Sequence, residues 1–121
     1  MMNVPLTVQS LLERAERFFP KKEVISRTHT QVQRLTYREI GERTRRLAGA
    51  LTDLGVKRGG RVGTLAWNHH RHLEAYFAAP GIGAINHTIN IRLSKEHISY
   101  IINHAEDDVL LFDEDLLPIV S

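Results

Sequence analysis

The chain has 121 residues, 42% hydrophobic and 25% charged, so it is long enough for one small domain with a core and too short for two. A net charge of +2 argues against a strongly basic nucleic-acid binder. The tight basic cluster around Arg45 lies beside Glu39 and Glu42, which favours a solvated helix face with internal ion pairs. Cysteine is absent and no apolar run approaches the roughly 20 residues of a membrane span, which argues against disulfides, thiolate chemistry and a transmembrane segment and favours a cytoplasmic location.

The N-terminal part of the chain predicts a helix followed by a small hairpin. Apolar residues recur at helical spacing over residues 7–19, and Pro20 should end this helix. Residues 23–27 then predict a strand, and residues 34–37 a short return strand after a polar loop. The stripe expected to face the core comprises Val8, Leu11, Leu12, Ala15, Phe18 and Phe19.

A second helix is predicted from its two ends. Thr36 and Glu39 have the spacing of a capping box, in which each side chain accepts a hydrogen bond from the backbone amide of the other residue. Gly55 is placed to adopt the left-handed conformation that follows many helices. The face expected to be buried carries Ile40, Thr44, Leu47, Leu51 and Leu54.

Three short apolar runs follow, at residues 62–66, 84–88 and 109–112, and each predicts a buried strand. The helix between the first two should be capped by Asn68 and bury Leu73, Tyr76, Phe77 and Pro80. The helix between the second and third should be capped by Ser94 and bury Ile98, Ile101, Ile102 and Ala105. Acidic residues 113–115 suit the start of a further helix.

Strands that alternate with helices in this way predict an α/β fold with parallel pairing through crossover helices. We therefore expect a partial parallel sheet, a flavodoxin-like βαβαβ segment preceded by the small helix and hairpin. Strands without a polar face must be covered on both sides, and helices from this segment alone would cover them thinly. Residues 116–121 are apolar without an obvious finish, so we expect residues 1–121 to be a truncated piece of a larger domain.

The histidines are the first candidates for chemistry. His69 and His72 would share a helix face, but a metal site needs three or four converging ligands, so surface or helix-start histidines are favoured and no metal site is predicted. His87 lies inside a predicted strand. Its ring could line a pocket at the end of that strand, although a hydrogen-bonded core histidine is the favoured interpretation.

Phosphate-binding loops are the second candidates. The glycines at 59–60 and 81–83 precede strands, whereas a phosphate loop must follow a strand and open a helix. Arg92 does lie after a strand and before a helix start, where open α/β sheets bind ligands. Its guanidinium could hold a phosphate, and a surface arginine on a connecting loop is the alternative.

Several segments together resemble a known family. Residues 35–40 (LTYREI) and 54–62 (LGVKRGGRV) resemble the N-terminal part of the adenylate-forming ligases. Residues 64–68 (TLAWN), 71–76 (RHLEAY) and 100–107 (YIINHAED) resemble the medium- to long-chain fatty acyl-CoA synthetase branch. The resemblance runs from about residue 6 to residue 120, with departures at Gly60, where an acidic residue is usual, and Ile91, where proline is usual.

The resemblance implies a ligase that joins a fatty acid to coenzyme A, with release of AMP and pyrophosphate from ATP. The phosphate loop, the Mg²⁺ site and the mobile domain of this family lie downstream of the matching region. It therefore implies no catalytic residue in this chain, no cofactor bound by the segment alone, and the remainder of the ligase as its partner. Arg92 matches the arginine of the family's Asn-Pro-Arg-Leu loop, which implies a contact with a coenzyme A phosphate. A homodimer through the N-terminal region is also implied.

Two other interpretations remain open at this point. One is a stand-alone dimerisation or binding module that kept the family's scaffold and lost its chemistry. The other is an unrelated small flavodoxin-like nucleotide binder, for which tight binding of a nucleotide by the isolated chain is expected.

Overall fold

The computed structural model describes residues 7–27, 31–67, 69–113 and 116. Within these residues the chain alternates helices and strands after an N-terminal helix and hairpin, so the α/β class predicted from the sequence is confirmed. In chain order the elements are α1 (Val8–Phe18), β1 (Glu23–Arg27), β2 (Val32–Thr36), α2 (Tyr37–Asp53), β3 (Arg61–Leu65), α3 (His70–Gly81), β4 (Ile85–Thr88), α4 (Lys95–Ala105) and β5 (Val109–Phe112).

The strands form two separate sheets. β1 and β2 make an antiparallel hairpin, whereas β4, β3 and β5 lie side by side in that order as a parallel sheet. β3 is the central strand, with Gly63 opposite His87 of β4 on one side and Leu110 of β5 on the other. The predicted parallel pairing through crossover helices is therefore confirmed.

The two faces of the parallel sheet carry separate cores. Successive side chains of a strand point to opposite faces, so Val62 and Leu65 of β3 belong to different clusters. Val62 packs with Leu51 of α2 and Ala78 of α3, and Leu65 packs with Ile98 of α4. Helices α2 and α3 thus cover one face of the sheet and α4 covers the other.

Helix α2 begins and ends as the sequence predicts. The amide of Glu39 donates to Thr36 Oγ1 at 3.2 Å, and the amide of Thr36 donates to Glu39 Oε1 at 3.0 Å. The bond from the Thr36 amide, followed by a second bond from the Thr36 hydroxyl to the same carboxylate oxygen at 3.0 Å, holds the pKa of the Glu39 carboxyl below its ordinary value. Gly55 follows the helix with a φ of 96°, which a residue with a side chain rarely adopts. Leu54, however, was wrongly predicted to be buried: it is 69% exposed because it lies beyond the last helical turn.

The N-terminal helix and hairpin differ from the prediction in detail. α1 contacts α2 and α3 mainly through Leu12, while Val8, Leu11, Phe18 and Phe19 stay exposed because only one side of the helix meets its neighbours. β2 begins earlier than predicted, since Val32 and Gln33 pair with β1. The predicted loop includes residues 28–30, which lie outside the described residues.

The buried side of α3 was also wrongly predicted. Tyr76 is 43% exposed, and Leu73, Phe77 and Pro80 are only half-buried. The residues that are buried instead are small or polar: His70, Glu74, Ala75, Ala78 and Ala79. Small alanines let the helix approach α2 and the sheet closely, which a face of bulky side chains would prevent.

Both crossover helices have side-chain caps. His69, not Asn68, caps α3, and Asn68 itself lies outside the described residues. Ser94 caps α4 as predicted, and Ile98 is the fully buried residue of that helix. Ile101, Ile102 and Ala105 are half-buried rather than enclosed. The helix predicted from residues 113–115 falls largely outside the described residues.

Replacing Ser94 with alanine is expected to lower the free energy of unfolding by about 1 kcal/mol, because the first turn of α4 loses an acceptor. In the parent chain Ser94 Oγ accepts a hydrogen bond from the amide of His97 at 3.2 Å. Chemical denaturation followed by circular dichroism measures the change. The control Ser94→Asp keeps an acceptor and should stay within about 0.5 kcal/mol of the parent. Equal losses in both variants would contradict the capping role.

None of the helices within the described ranges is both long enough and apolar enough to cross a lipid bilayer.

Candidate functional site

A cleft of about 600 Å³ opens at the carboxyl ends of β3 and β5, beside α2 and the start of α3. This is the edge of an open α/β sheet at which ligands bind. Its apolar wall includes Leu47, Ala50, Ala75, Leu110 and Phe112. Its polar lining comprises Arg43, Arg46, Thr64, His69, Arg71, His72, Glu74 and Asp113.

His69 and Asp113 form a pair at the rim of this cleft. His69 Nε2 lies 2.8 Å from Asp113 Oδ1, and the other carboxylate oxygen accepts from the amide of Trp67 at 2.8 Å. His69 Nδ1 accepts from the amide of His72 at 3.1 Å, so Nε2 carries the hydrogen that Asp113 accepts. The pair thereby joins the start of α3 to the end of β5.

The two histidines considered as metal ligands are thus not arranged as a ligand pair. His69 uses both ring nitrogens in contacts within the chain, and as the helix cap it does not share a helix face with His72. Across the residues that the structure describes, no group of three or more histidine, aspartate or glutamate side chains converges in a way that could hold a metal ion.

His72 occupies the inner wall of the cleft. Burial is the main cause that lowers the pKa of its imidazole, and nearby His69 lowers it further. A hydrogen bond to the carbonyl of Trp67 and the charge of Asp113 act in the opposite direction. Its Nε2 atom is buried without a hydrogen-bond partner among the described residues. The neutral ring is therefore the favoured form near pH 7.

Below the rim, Glu74 of α3 forms a partly buried ion pair that the sequence did not predict. Its carboxylate lies 2.6 Å from the Nε of Arg43 on α2 and 3.5 Å from the Nδ1 of His70. A usable signal was present: Glu74 shares its helix face with His70 and Ala78, four residues away on either side.

His87 does not line the cleft but pairs with Asp107 near the amino end of β5. Its Nδ1 lies 2.9 Å from Asp107 Oδ2, and the aspartate side chain is only 1% exposed. A Cβ atom on Gly63 would lie 2.7 Å from the same oxygen, so this approach needs a glycine in the central strand. The structure therefore supports a hydrogen-bonded histidine over a pocket residue.

Arg92 also lies away from the cleft. It is exposed in the turn between β4 and α4, where its backbone amide donates to Asn90 Oδ1 at 2.9 Å. The turn is thus ordered by Asn90, and the Arg92 side chain is accessible to solvent. Its contact with a coenzyme A phosphate stays a prediction.

Comparison with known proteins matches the chain to one enzyme family. The family model described as AMP-binding enzyme matches residues 12–120. The long-chain-fatty-acid–CoA ligase of Thermus thermophilus is 59% identical over 122 residues, which cover 100% of this chain and 23% of that protein. The 3-methylmercaptopropionyl-CoA ligase of Ruegeria lacuscaerulensis is 48% identical, with the same coverage. The chain thus spans less than a quarter of the length of these curated relatives.

Solved structures of acyl-CoA ligases share the fold of this chain. The anthranilate CoA ligase AuaEII, solved with anthranoyl-AMP, is 25% identical and superposes with a TM-score of 0.87 over 98% of this chain and 23% of its own. The N-terminal domain of FACL13 from Mycobacterium tuberculosis is 26% identical, with a TM-score of 0.85 over 96% of this chain and 29% of its own.

Proposed function

Because the chain belongs to the AMP-binding enzyme family, we propose that it is a scaffold segment of an ATP-dependent fatty-acid–CoA ligase. The complete enzyme would convert a fatty acid, ATP and coenzyme A into acyl-CoA, AMP and pyrophosphate. Residues 1–121 would form the N-terminal part of its AMP-binding domain and would be inactive alone. The observation that carries the proposal is 59% identity, along the whole chain, to the long-chain ligase of Thermus thermophilus.

The polar contacts around the cleft support a structural role for this segment. Asp113 is engaged by His69 and by the Trp67 amide, and Glu74 is engaged by Arg43. These carboxylates tie α3 to β5 and to α2, so they hold the elements at the sheet edge in place.

The expected cofactors of the complete enzyme are ATP, Mg²⁺ and coenzyme A. Phosphate binding in this kind of sheet needs successive backbone amides in a loop between a strand and a helix. β3 is followed by Ala66 and Trp67, and β4 by Ile89 and Asn90, none of which is a glycine. We therefore propose that ATP and Mg²⁺ are held by parts of the enzyme other than these loops, and that Arg92 contributes to coenzyme A binding.

A chimera tests the proposal. This chain would replace the matching residues of the Thermus thermophilus ligase, and fatty-acid-dependent pyrophosphate release would be measured with short, medium and long acids. We expect activity within about tenfold of the parent ligase, equivalent to about 1.4 kcal/mol in the barrier. The Thermus ligase lacking the replaced residues and the 121-residue chain alone serve as controls, and both should be inactive.

Two results would contradict the proposal. One is pyrophosphate release by the chain alone. The other is a chimera that unfolds cooperatively near the temperature of the parent ligase but forms no acyl-adenylate. The stand-alone dimerisation or binding module is not favoured, because the relatives that match this chain along its whole length are acyl-CoA ligases. A homodimer through the N-terminal region and a cytoplasmic location stay predictions.

A further inference from the structure

His70 lies where the hairpin meets helices α2 and α3, and it is 4% exposed. Its backbone amide donates to Ser26 Oγ of β1 at 2.8 Å, and its Nε2 lies 2.8 Å from Gln33 Oε1 of β2. Ser26 and Gln33 are paired in the hairpin register, so both point to the same side of the ribbon. The inner face of the hairpin is thus fastened to one histidine.

The hydrogen bond to Gln33 defines the tautomer of the neutral His70 ring. Gln33 Oε1 is a carbonyl oxygen and can only accept, so Nε2 carries a hydrogen. In the neutral ring Nδ1 then carries a lone pair. It lies 3.5 Å from Glu74 Oε2 but has no hydrogen-bond partner among the described residues. Glu74 is engaged instead by Arg43 at 2.6 Å.

A proton on Nδ1 would place a third charge beside this ion pair. Glu74 of α3 would attract it, while Arg43 of α2 and Arg71 of α3 would repel it. The side chains that face the ring from the hairpin, Ser26 and Gln33, carry no charge. Burial is the largest cause that lowers the pKa of His70, the arginines add to it, and Glu74 opposes both.

The hairpin is the thinnest cover over His70. It has two strands, contacts the rest of the chain mainly through α2 and α3, and leaves Ile25 and Val32 exposed on its outer face. A two-stranded hairpin is marginally stable by itself. Detaching the hairpin would therefore let water reach a charged His70 at a lower cost in free energy than separating α2 from α3. The alanines of α3 belong to the core between α2, α3 and the parallel sheet, which we call the main core.

We propose that His70 is an acid-sensitive contact, which holds the β1–β2 hairpin against α2 and α3 while its ring is neutral and loosens the hairpin when the ring is protonated. This property is independent of the ligase activity proposed above. It is a conformational device in the segment itself, in which His70 titrates and the hairpin responds. The neighbouring titratable ring is that of His69, whose centroid lies 6.2 Å from that of His70.

The direction of the effect follows from proton linkage. The pKa of His70 is lower in the folded chain than its ordinary value of 6.5, so the closed hairpin binds fewer protons than the open one. The free energy that His70 contributes to docking of the hairpin is fully present when the pH is above 6.5, the ordinary pKa of histidine. It is lost progressively as the pH falls from there through the lowered value of the folded chain.

Hydrogen exchange of the whole chain at about pH 7.5 and about pH 5.5 tests the proposal, above the range in which ordinary carboxylates titrate. Rates must be corrected for the intrinsic pH dependence of exchange. We expect the equilibrium constant for opening of the β1 and β2 amides to be larger at the lower pH. The increase is at most about tenfold per pH unit, within the pH range in which His70 is protonated in the open hairpin and neutral in the closed one. Amides of β3 should change much less.

The control pair is His70→Gln and His72→Gln, on the same helix. His70→Gln should abolish the pH dependence of hairpin opening, and His72→Gln should keep it, although the pKa of His72 is also lowered. Equal pH dependence in the parent and His70→Gln would overturn the proposal. So would increased protection of the hairpin in acid, because protonated His70 would then be held by Glu74.

A measurement on the parent chain covers the case in which His70→Gln does not fold. NMR titration of the histidine ring protons gives separate midpoints for His70 and His72. The proposal requires the amide signals of Ser26 and Gln33 to follow the midpoint of His70. Signals that follow His72, or that do not move, would refute it.

Discussion

Leu51→Ala is expected to lower the free energy of unfolding by about 2–5 kcal/mol, because it removes three carbon atoms from the main core and leaves a cavity. Leu51 is 1% exposed and packs where α2 and α3 cover the parallel sheet. Its neighbours include Val62 of the central strand and Ala78 and Ala79 of α3. Strand β3 holds Val62 and helix α3 holds the two alanines, so these neighbours cannot move in to fill the cavity.

Leu54→Ala is the matched control, since it makes the same chemical change three residues along the chain. Leu54 is 69% exposed, and its replacement should change stability by less than about 0.5 kcal/mol. Urea unfolding followed by circular dichroism and by Trp67 fluorescence gives both values. Similar losses in the two variants would contradict the position of the main core on the α2 side of the sheet.

The same two leucines show how far the sequence predicts the fold. Periodicity placed both on one face of α2, and this succeeded for Leu51 because helical spacing is a local property. It failed for Leu54 because the helix ends at Asp53. The capping box at Thr36 and the apolar run of β3 were recognised for the same reason: the groups that decide them lie within a few residues.

The candidate site was much less accessible to sequence reasoning. Arg43 and Glu74 are 31 residues apart in the chain, and His69 and Asp113 are 44 apart. Whether residues so far apart in the sequence, such as Arg43 and Glu74, come into contact depends on the rotation of α3 about its own axis against α2. The alanines of α3 decide that orientation through close packing, whereas hydrophobicity alone favoured Tyr76 and Phe77. A buried glutamate therefore had no local signature strong enough to outweigh the bulky apolar residues.

Glu74→Gln is expected to destabilise the chain by about 2–3 kcal/mol, because it removes the charge that compensates Arg43 while nearly preserving side-chain volume. The Glu74 side chain is 4% exposed and that of Arg43 is 40% exposed. Arg43 can thus recover part of its hydration, which keeps the loss below that of a fully buried pair. Chemical denaturation at low and high salt measures it, and the loss should depend little on salt because burial limits screening.

Glu42→Gln provides the comparison, because Glu42 pairs with Arg38 on the exposed side of the same helix as Arg43, at 3.9 Å. A surface pair of this kind contributes about 0.5 kcal/mol or less, so the control should be nearly neutral.

The double variant Arg43→Met with Glu74→Leu should recover most of the stability, since apolar side chains of similar size need no compensating charge. If Glu74→Gln were as mild as Glu42→Gln, the contact between α2 and α3 would owe its stability to the alanine packing alone. The buried carboxylate would then matter through His70, whose pKa should fall further once the attraction of Glu74 is removed.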